Sequence, residues 1–137
     1  RLKELARHVA GDGPDHFRFI QLPLNLEMPE AFSVQNQEVD GHLCSTLSAA
    51  SSLGIYPVIS GSIAQGNIKH LSSFQTKKLG DGFTSDAQRA LHITRSAPGI
   101  ACALIGMKQT THLEENLKLC SLPLLESDIF EVLMKNG

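Results

Sequence analysis

Two stretches of the 137-residue chain combine residue types that could hold an anionic ligand. The first is Ser60-Gly61-Ser62-Ile63-Ala64-Gln65-Gly66, which follows a short apolar run from Tyr56 to Ser60. Glycines there let backbone N–H groups come close to a phosphate, and the hydroxyls of Ser60 and Ser62 add donors. The plainer reading of the same residues is a Gly/Ser turn. The second stretch is Gly106 to Asn116. Lys108 precedes a helical pattern, where free N–H groups and the helix dipole favour anions. Lys108, His112 and Asn116 are spaced by four, with Glu115 beside them, so a helix beginning near Lys108 would gather them on one face. The competing reading is a solvated helix face opened by a Thr111–Glu114 capping box.

Other chemistries find less support. The six histidines form no HxH or HxxxH pair, so no metal site is expected. No GxSxG, P-loop or GxGxxG pattern is present. Cys44, Cys102 and Cys120 are three, without CxxC spacing, which argues against a disulfide framework and for a reducing, cytoplasmic compartment. A net charge of -2 gives no reason to expect nucleic acid or an anionic membrane as partner. No apolar run approaches the roughly 20 residues of a membrane span. The chain begins without Met, inside a helical pattern, and is expected to be a single segment, 1–137, of something longer.

The elements that must position these residues alternate. Leu2, Leu5, Ala6 and Val9 repeat at helical spacing up to Gly11. Phe17 to about Asn25 reads as a strand, and Met28 to Asp40 as an irregular connection. A helix is expected from Gly41 to Leu53, through Leu43, Leu47 and Ala50, with Gly54 closing it. Tyr56–Ser60 reads as a buried strand and Asn67–Phe83 as a long loop. A Ser85–Gln88 capping box opens a helix through Ala87, Ala90, Leu91 and Thr94. Ile100–Ile105 is a fully apolar strand. A helix through Leu113, Leu117 and Cys120 follows, then an amphipathic one from Leu125 to Met134. Strands alternating with helices predict an α/β fold: about three parallel strands in sequence order, flanked by helices on one side. Ligands would gather at the carboxyl ends of those strands.

Three segments resemble the aldo/keto reductase family. Phe17-Arg18-Phe19-Ile20-Gln21-Leu22-Pro23-Leu24-Asn25-Leu26 is similar to its Q-x-x-Y-N-L strand. Ser60 to Gly66 is similar to its S-P-L-G-Q-G stretch. Pro98 to Lys108, running into His112-Leu113-Glu114-Glu115-Asn116-Leu117, is similar to its last strand and G-x-x-x-x-x-x-L-x-E-N helix. They come in family order and cover nearly the whole chain. The resemblance implies the C-terminal half of a TIM (β/α)8 barrel, hence a partial barrel, and an NADP(H) cofactor, with NAD(H) also possible. By position, Gln21 would bond the nicotinamide carboxamide. Ser60 stands where many members stack an aromatic ring. Gly61 to Ile63 would meet the pyrophosphate, and Gln65 falls in the same stretch. Lys108 and His112 would approach the adenosine ribose and its phosphate, and Glu115 and Asn116 the adenine. Many members have Lys where this chain has Gly106, and Arg where it has His112.

The family's Asp, Tyr, Lys and His tetrad comes from the N-terminal half of the barrel, so no catalytic residue is expected in this chain. The implied activity is reduction of aldehydes or ketones by the complete protein, with a small carbonyl substrate. The alternative is a non-catalytic regulatory or interaction subunit that keeps the fold. Three strands cannot close a barrel, so either the missing N-terminal half or self-association is expected to cover the open edges.

Overall fold

The computed structural model describes residues 1–68 and 70–135. Helix α1 (Leu2–Ala10) leads into strand β1 (Phe19–Pro23). A short helix α2 (Glu30–Ser33) and a hairpin, β2 (Gln35–Val39) and β3 (His42–Ser45), precede helix α3 (Thr46–Ser52). Strand β4 (Tyr56–Ser60), helices α4 (Ser73–Leu79) and α5 (Asp86–Arg95), strand β5 (Cys102–Ala103), and helices α6 (Thr110–Leu117) and α7 (Ser127–Lys135) complete the chain.

The principal sheet has the order β1-β4-β5, all parallel, as the alternation of elements predicts. Its two faces differ. Ile20, Leu22, Pro57, Ile59 and Ala103 are buried or half-buried, whereas Phe19, Gln21, Pro23, Tyr56 and Cys102 are exposed. This alternation is the period of two that a strand imposes on its side chains. The covered face belongs to one core in which Leu24 and Ile59 meet Leu47 of α3, Ile93 of α5, and Phe130 and Leu133 of α7. The helices therefore lie on one side. Parallel sheets usually bury both faces; here the bare face carries a Phe19–Tyr56 ring pair at 5.6 Å. No described helix is long and apolar enough to cross a membrane.

Several boundaries differ from the sequence expectation. Gly41–Leu53 is not one helix: His42–Ser45 is a strand, and the helix starts at Thr46, where the Ser45 hydroxyl accepts the Ser48 N–H. The cause is the Asp40-Gly41 turn. Both residues have positive φ (51° and 78°), which is the hairpin geometry that joins twisted antiparallel strands. The Met28–Asp40 connection consequently contains α2 and β2.

The Asn67–Phe83 loop contains α4, opened by a reciprocal Ser72–Gln75 capping box. At α5 only half of the expected box forms. Ser85 caps Gln88, but the Gln88 side chain accepts the Thr84 N–H instead. At α6 the box is absent: the helix begins at Thr110, ahead of Thr111, and its N-cap Gln109 makes no side-chain cap. The Ile100–Ile105 strand is reduced to two laddered residues, with single bonds from Ala101 N–H to Pro57 O and from Leu104 N–H to Ile59 O on either side.

Candidate functional site

The carboxyl ends of β1 and β4 are tied together by one buried side chain. Asn25 donates to Gly61 O at 2.8 Å and accepts the N–H groups of Glu27 and Met28 at 2.8 and 2.9 Å. The loop after β1 is thereby locked onto the turn after β4. Gly61 sits at φ 64°, a left-handed conformation that strains an added Cβ, which would also stand in ordinary contact with Met28 Cε at 3.7 Å and Asn25 Nδ2 at 3.8 Å. Ala64 and Gln65 adopt left-handed φ as well, 46° and 56°. Each such non-glycine residue costs on the order of 1–3 kcal/mol, which the surrounding turn must offset.

Within this turn Ala64, Gly66 and Asn67 donate their N–H groups to Gly61, Ile63 and Ala64 carbonyls. The amides of Gly61, Ser62 and Ile63 take part in none of these bonds. A cavity of about 400 Å³ opens beside them, lined by Asn25, Ser62, Ile63, Ala64, His70 and Gln75. At its rim His70 Nδ1 lies 3.0 Å from Asp86 Oδ2. That bond, with the Arg89 guanidinium behind it, lowers the Asp86 pKa.

The sequence-derived site residues fall into two groups. Gln21 is exposed on the bare face, in register with Val58, which pairs in turn with Cys102. Ser60 ends β4 in register with Pro23. Gly61, Ser62, Ile63 and Gln65 follow in the turn just described. The expectation that the Ser62 hydroxyl is a free donor needs correction. It is buried and donates to Leu104 O at 2.8 Å, while Ser62 O accepts from the Thr94 hydroxyl at 3.2 Å. Its role is to join β4, β5 and α5, because a buried hydroxyl must find a partner.

The second group surrounds the start of α6, beyond the carboxyl end of β5. Lys108 and His112 are exposed. Lys108 precedes the helix, so the expected i, i+4 face runs only through His112 and Asn116. Glu115 accepts hydrogen bonds from the hydroxyls of Ser85 and Thr84, and its backbone carbonyl accepts the Gln88 amide at 2.7 Å. The Ser85 and Thr84 bonds lower its pKa. Glu115 thus fastens α6 to the start of α5. Asn116 borders a different cavity, of about 440 Å³, shared with Leu91, Arg95, Met107 and Leu113.

Searches against protein-family models, curated proteins and solved structures return no match for this chain. Its chemistry must therefore be read from the residues themselves. Among the described residues no three or more His, Cys, Asp and Glu side chains are grouped to hold a metal ion.

Sequence reasoning missed two features of the site. Asn25 could have been found, since an Asn whose side chain accepts amides two and three residues on is a common way to end a strand. The His70–Asp86 pair could not, because sixteen residues separate its members.

Proposed function

We propose that this chain is the cofactor-binding portion of an NAD(P)H-dependent oxidoreductase of aldo/keto reductase type. The complete protein would reduce aldehydes or ketones to alcohols, on a (β/α)8 barrel of which β1, β4 and β5 form three walls. One observation carries the reading. In the parallel order β1-β4-β5, with helices on one face and the other bare, Gln21 lies in the middle of β1, two residues before the Pro23–Ser60 register pair that the 61–63 amides follow, which supports the reading.

The residues present fit such a cofactor in part. The uncommitted amides of Gly61, Ser62 and Ile63 can donate to a pyrophosphate, as oriented backbone N–H groups do elsewhere. Exposed Lys108 can pair with a phosphate on the adenosine side. Gln21, on the bare face, has an amide free to meet a carboxamide. The fit is weaker at Glu115, already held by two hydroxyls, and at Ser60, which offers no ring to stack on. When bound, the nicotinamide supplies the hydride. The chain's own residues bind and orient; by the resemblance, the tetrad whose tyrosine donates the proton to the nascent alkoxide lies in the other half of the barrel.

Isothermal titration of the purified chain with NADPH and NADH tests this. Saturable binding is expected, weakened about tenfold by Gln21→Ala or Lys108→Ala, both surface changes that leave the core intact. No NADPH is consumed when 4-nitrobenzaldehyde is added. Absence of binding to either nucleotide ends the cofactor reading, and enzyme-like turnover by the chain alone shows that the catalytic groups have been misplaced.

A further inference from the structure

The cavity of about 400 Å³ at the carboxyl ends of β1 and β4 reaches the helix layer, where Gln75 of α4 and Ala90 of α5 line it. The cofactor proposed above meets the bare face at Gln21 and leaves this space unfilled. Its size is that of a small-molecule pocket, which usually spans roughly 300–1,000 Å³. Leu26, Pro29, Ile63, Leu71 and Ala90 give it an apolar wall.

Three of the polar side chains described on that wall are already committed. Asn25 holds Gly61 O and the Glu27 and Met28 N–H groups. Ser62 donates its hydroxyl to Leu104 O. Gln75 donates to Leu133 O at 3.3 Å, and its side-chain carbonyl accepts the Ser72 N–H at 2.9 Å. His70 differs. Its Nδ1 is bound to Asp86, while its Nε2 has no partner among the described residues.

Asp86 decides what that second nitrogen can do. Its Oδ1 takes Arg89 Nη1 at 3.1 Å, and the Leu71 N–H bonds the same carboxylate. The His70 bond first, and then these two, hold the Asp86 pKa below its ordinary value, so at neutral pH the carboxylate is ionised and can only accept. The proton of the pair therefore sits on Nδ1. In the neutral ring Nε2 keeps its lone pair and is an acceptor at the cavity rim. Glu27, on the same wall, offers acceptors alone when ionised. An apolar pocket with acceptors at its rim suits a ligand that brings its own donor.

We infer that this cavity binds a small neutral alcohol, with its carbon body against Leu26, Ile63, Leu71 and Ala90 and its hydroxyl donating to His70 Nε2. A carboxylate has no proton to give at that nitrogen, and a hydrocarbon of the same shape gains only the apolar wall. Alcohols are also what the proposed reduction would produce, but the binding does not rest on that reading.

Nuclear magnetic resonance of the chain at pH 7.5, titrated with benzyl alcohol, toluene or benzoate and without nucleotide, tests the assignment. Benzyl alcohol is expected to shift the Ile63, Leu71 and Ala90 methyl signals saturably and to move the His70 Nε2 resonance. Toluene shifts the methyls alone, and benzoate binds more weakly than benzyl alcohol. His70→Ala, at an exposed position, weakens benzyl alcohol about fivefold, the worth of one hydrogen bond, and leaves toluene unchanged. Methyl signals indifferent to benzyl alcohol overturn the inference. So does an affinity unaltered by His70→Ala, an unmoved Nε2 resonance, or a preference for benzoate, which would place a proton on Nε2. Because nucleotide is absent from every arm, the cofactor reading and this one can fail separately.

Discussion

Phe130→Ala is expected to destabilise the chain by about 3–5 kcal/mol, the usual cost of truncating a fully buried phenylalanine. Phe130 has no exposed surface and meets Phe32 edge-to-face at 5.0 Å. It sits where α7 joins Leu24, Ile59 and Ile93, so it connects the last helix to the covered face of the sheet. Its removal takes away apolar transfer energy, a ring pair, and the packing of several neighbours that cannot collapse into the space left behind. Single domains have roughly 5–15 kcal/mol in hand, so much of the total is at stake. Urea denaturation at fixed protein concentration measures the effect as a lower midpoint with an unchanged slope. Leu124→Ala, at a residue 57% exposed, should stay within about 0.5 kcal/mol of wild type. Equal losses at the two positions would mean that the core does not lie where the helices meet the sheet.

The hydrophobic pattern announced this core better than it announced the connections around it. Ile59, Ile93 and Leu133 lie in stretches that the sequence marks, by apolar pattern together with Gly54 and the Ser85 cap, as a strand and two helices. The region from Met28 to Ser45 was less legible. Leu43, Leu47 and Ala50 have helical spacing, yet only Leu47 and Ala50 are buried on a helix, and Leu43 is 65% exposed on β3. The Asp40-Gly41 turn decided between the two readings, and two residues of turn geometry outweighed a four-residue extension of an apolar period.

Helix α1 shows a different limit. Its amphipathic period is real, but period cannot say that the apolar side is left open while Lys3 is buried against Asp15. In the candidate site, Gly61 and the turn around it were readable from residue type. The tasks of Ser62 and Glu115 were not, because their partners, Leu104, Thr84 and Ser85, are brought to them only by the fold.

Acid is expected to weaken the fold in two separable stages. His92 is 3% exposed; burial first, and then the charge of Arg95, depress its pKa from 6.5 to about 4. It stays neutral in the folded chain, where its Nδ1 accepts from Arg95 Nε at 3.2 Å and its ring meets Phe83 at 5.2 Å. Above pH 6.5 both folded and unfolded chains carry a neutral His92, and the full stability is present. Between pH 6.5 and about 4 the unfolded chain takes up a proton that the folded chain refuses, so stability is lost as pH falls, by up to about 3 kcal/mol. Below that window the folded form is protonated too and His92 adds no further loss.

The carboxylates act lower. The Lys3 hydrogen bond holds the Asp15 pKa down, His70 does the same for Asp86, and the Ser85 hydroxyl for Glu115. Each contributes stability that is present above the ordinary carboxylate range and is lost as pH falls through the lowered folded value. His92→Gln, whose side-chain carbonyl can still accept from Arg95, should flatten the first stage and leave the second. Thermal or urea midpoints at half-unit steps from pH 7.5 to 3 separate them. A wild-type profile that is flat between pH 6.5 and 4, or a His92→Gln profile that falls as steeply as wild type there, would show that the imidazole accepts its proton in the folded chain. That would mean Phe83 and Arg95 open readily enough to let water reach it.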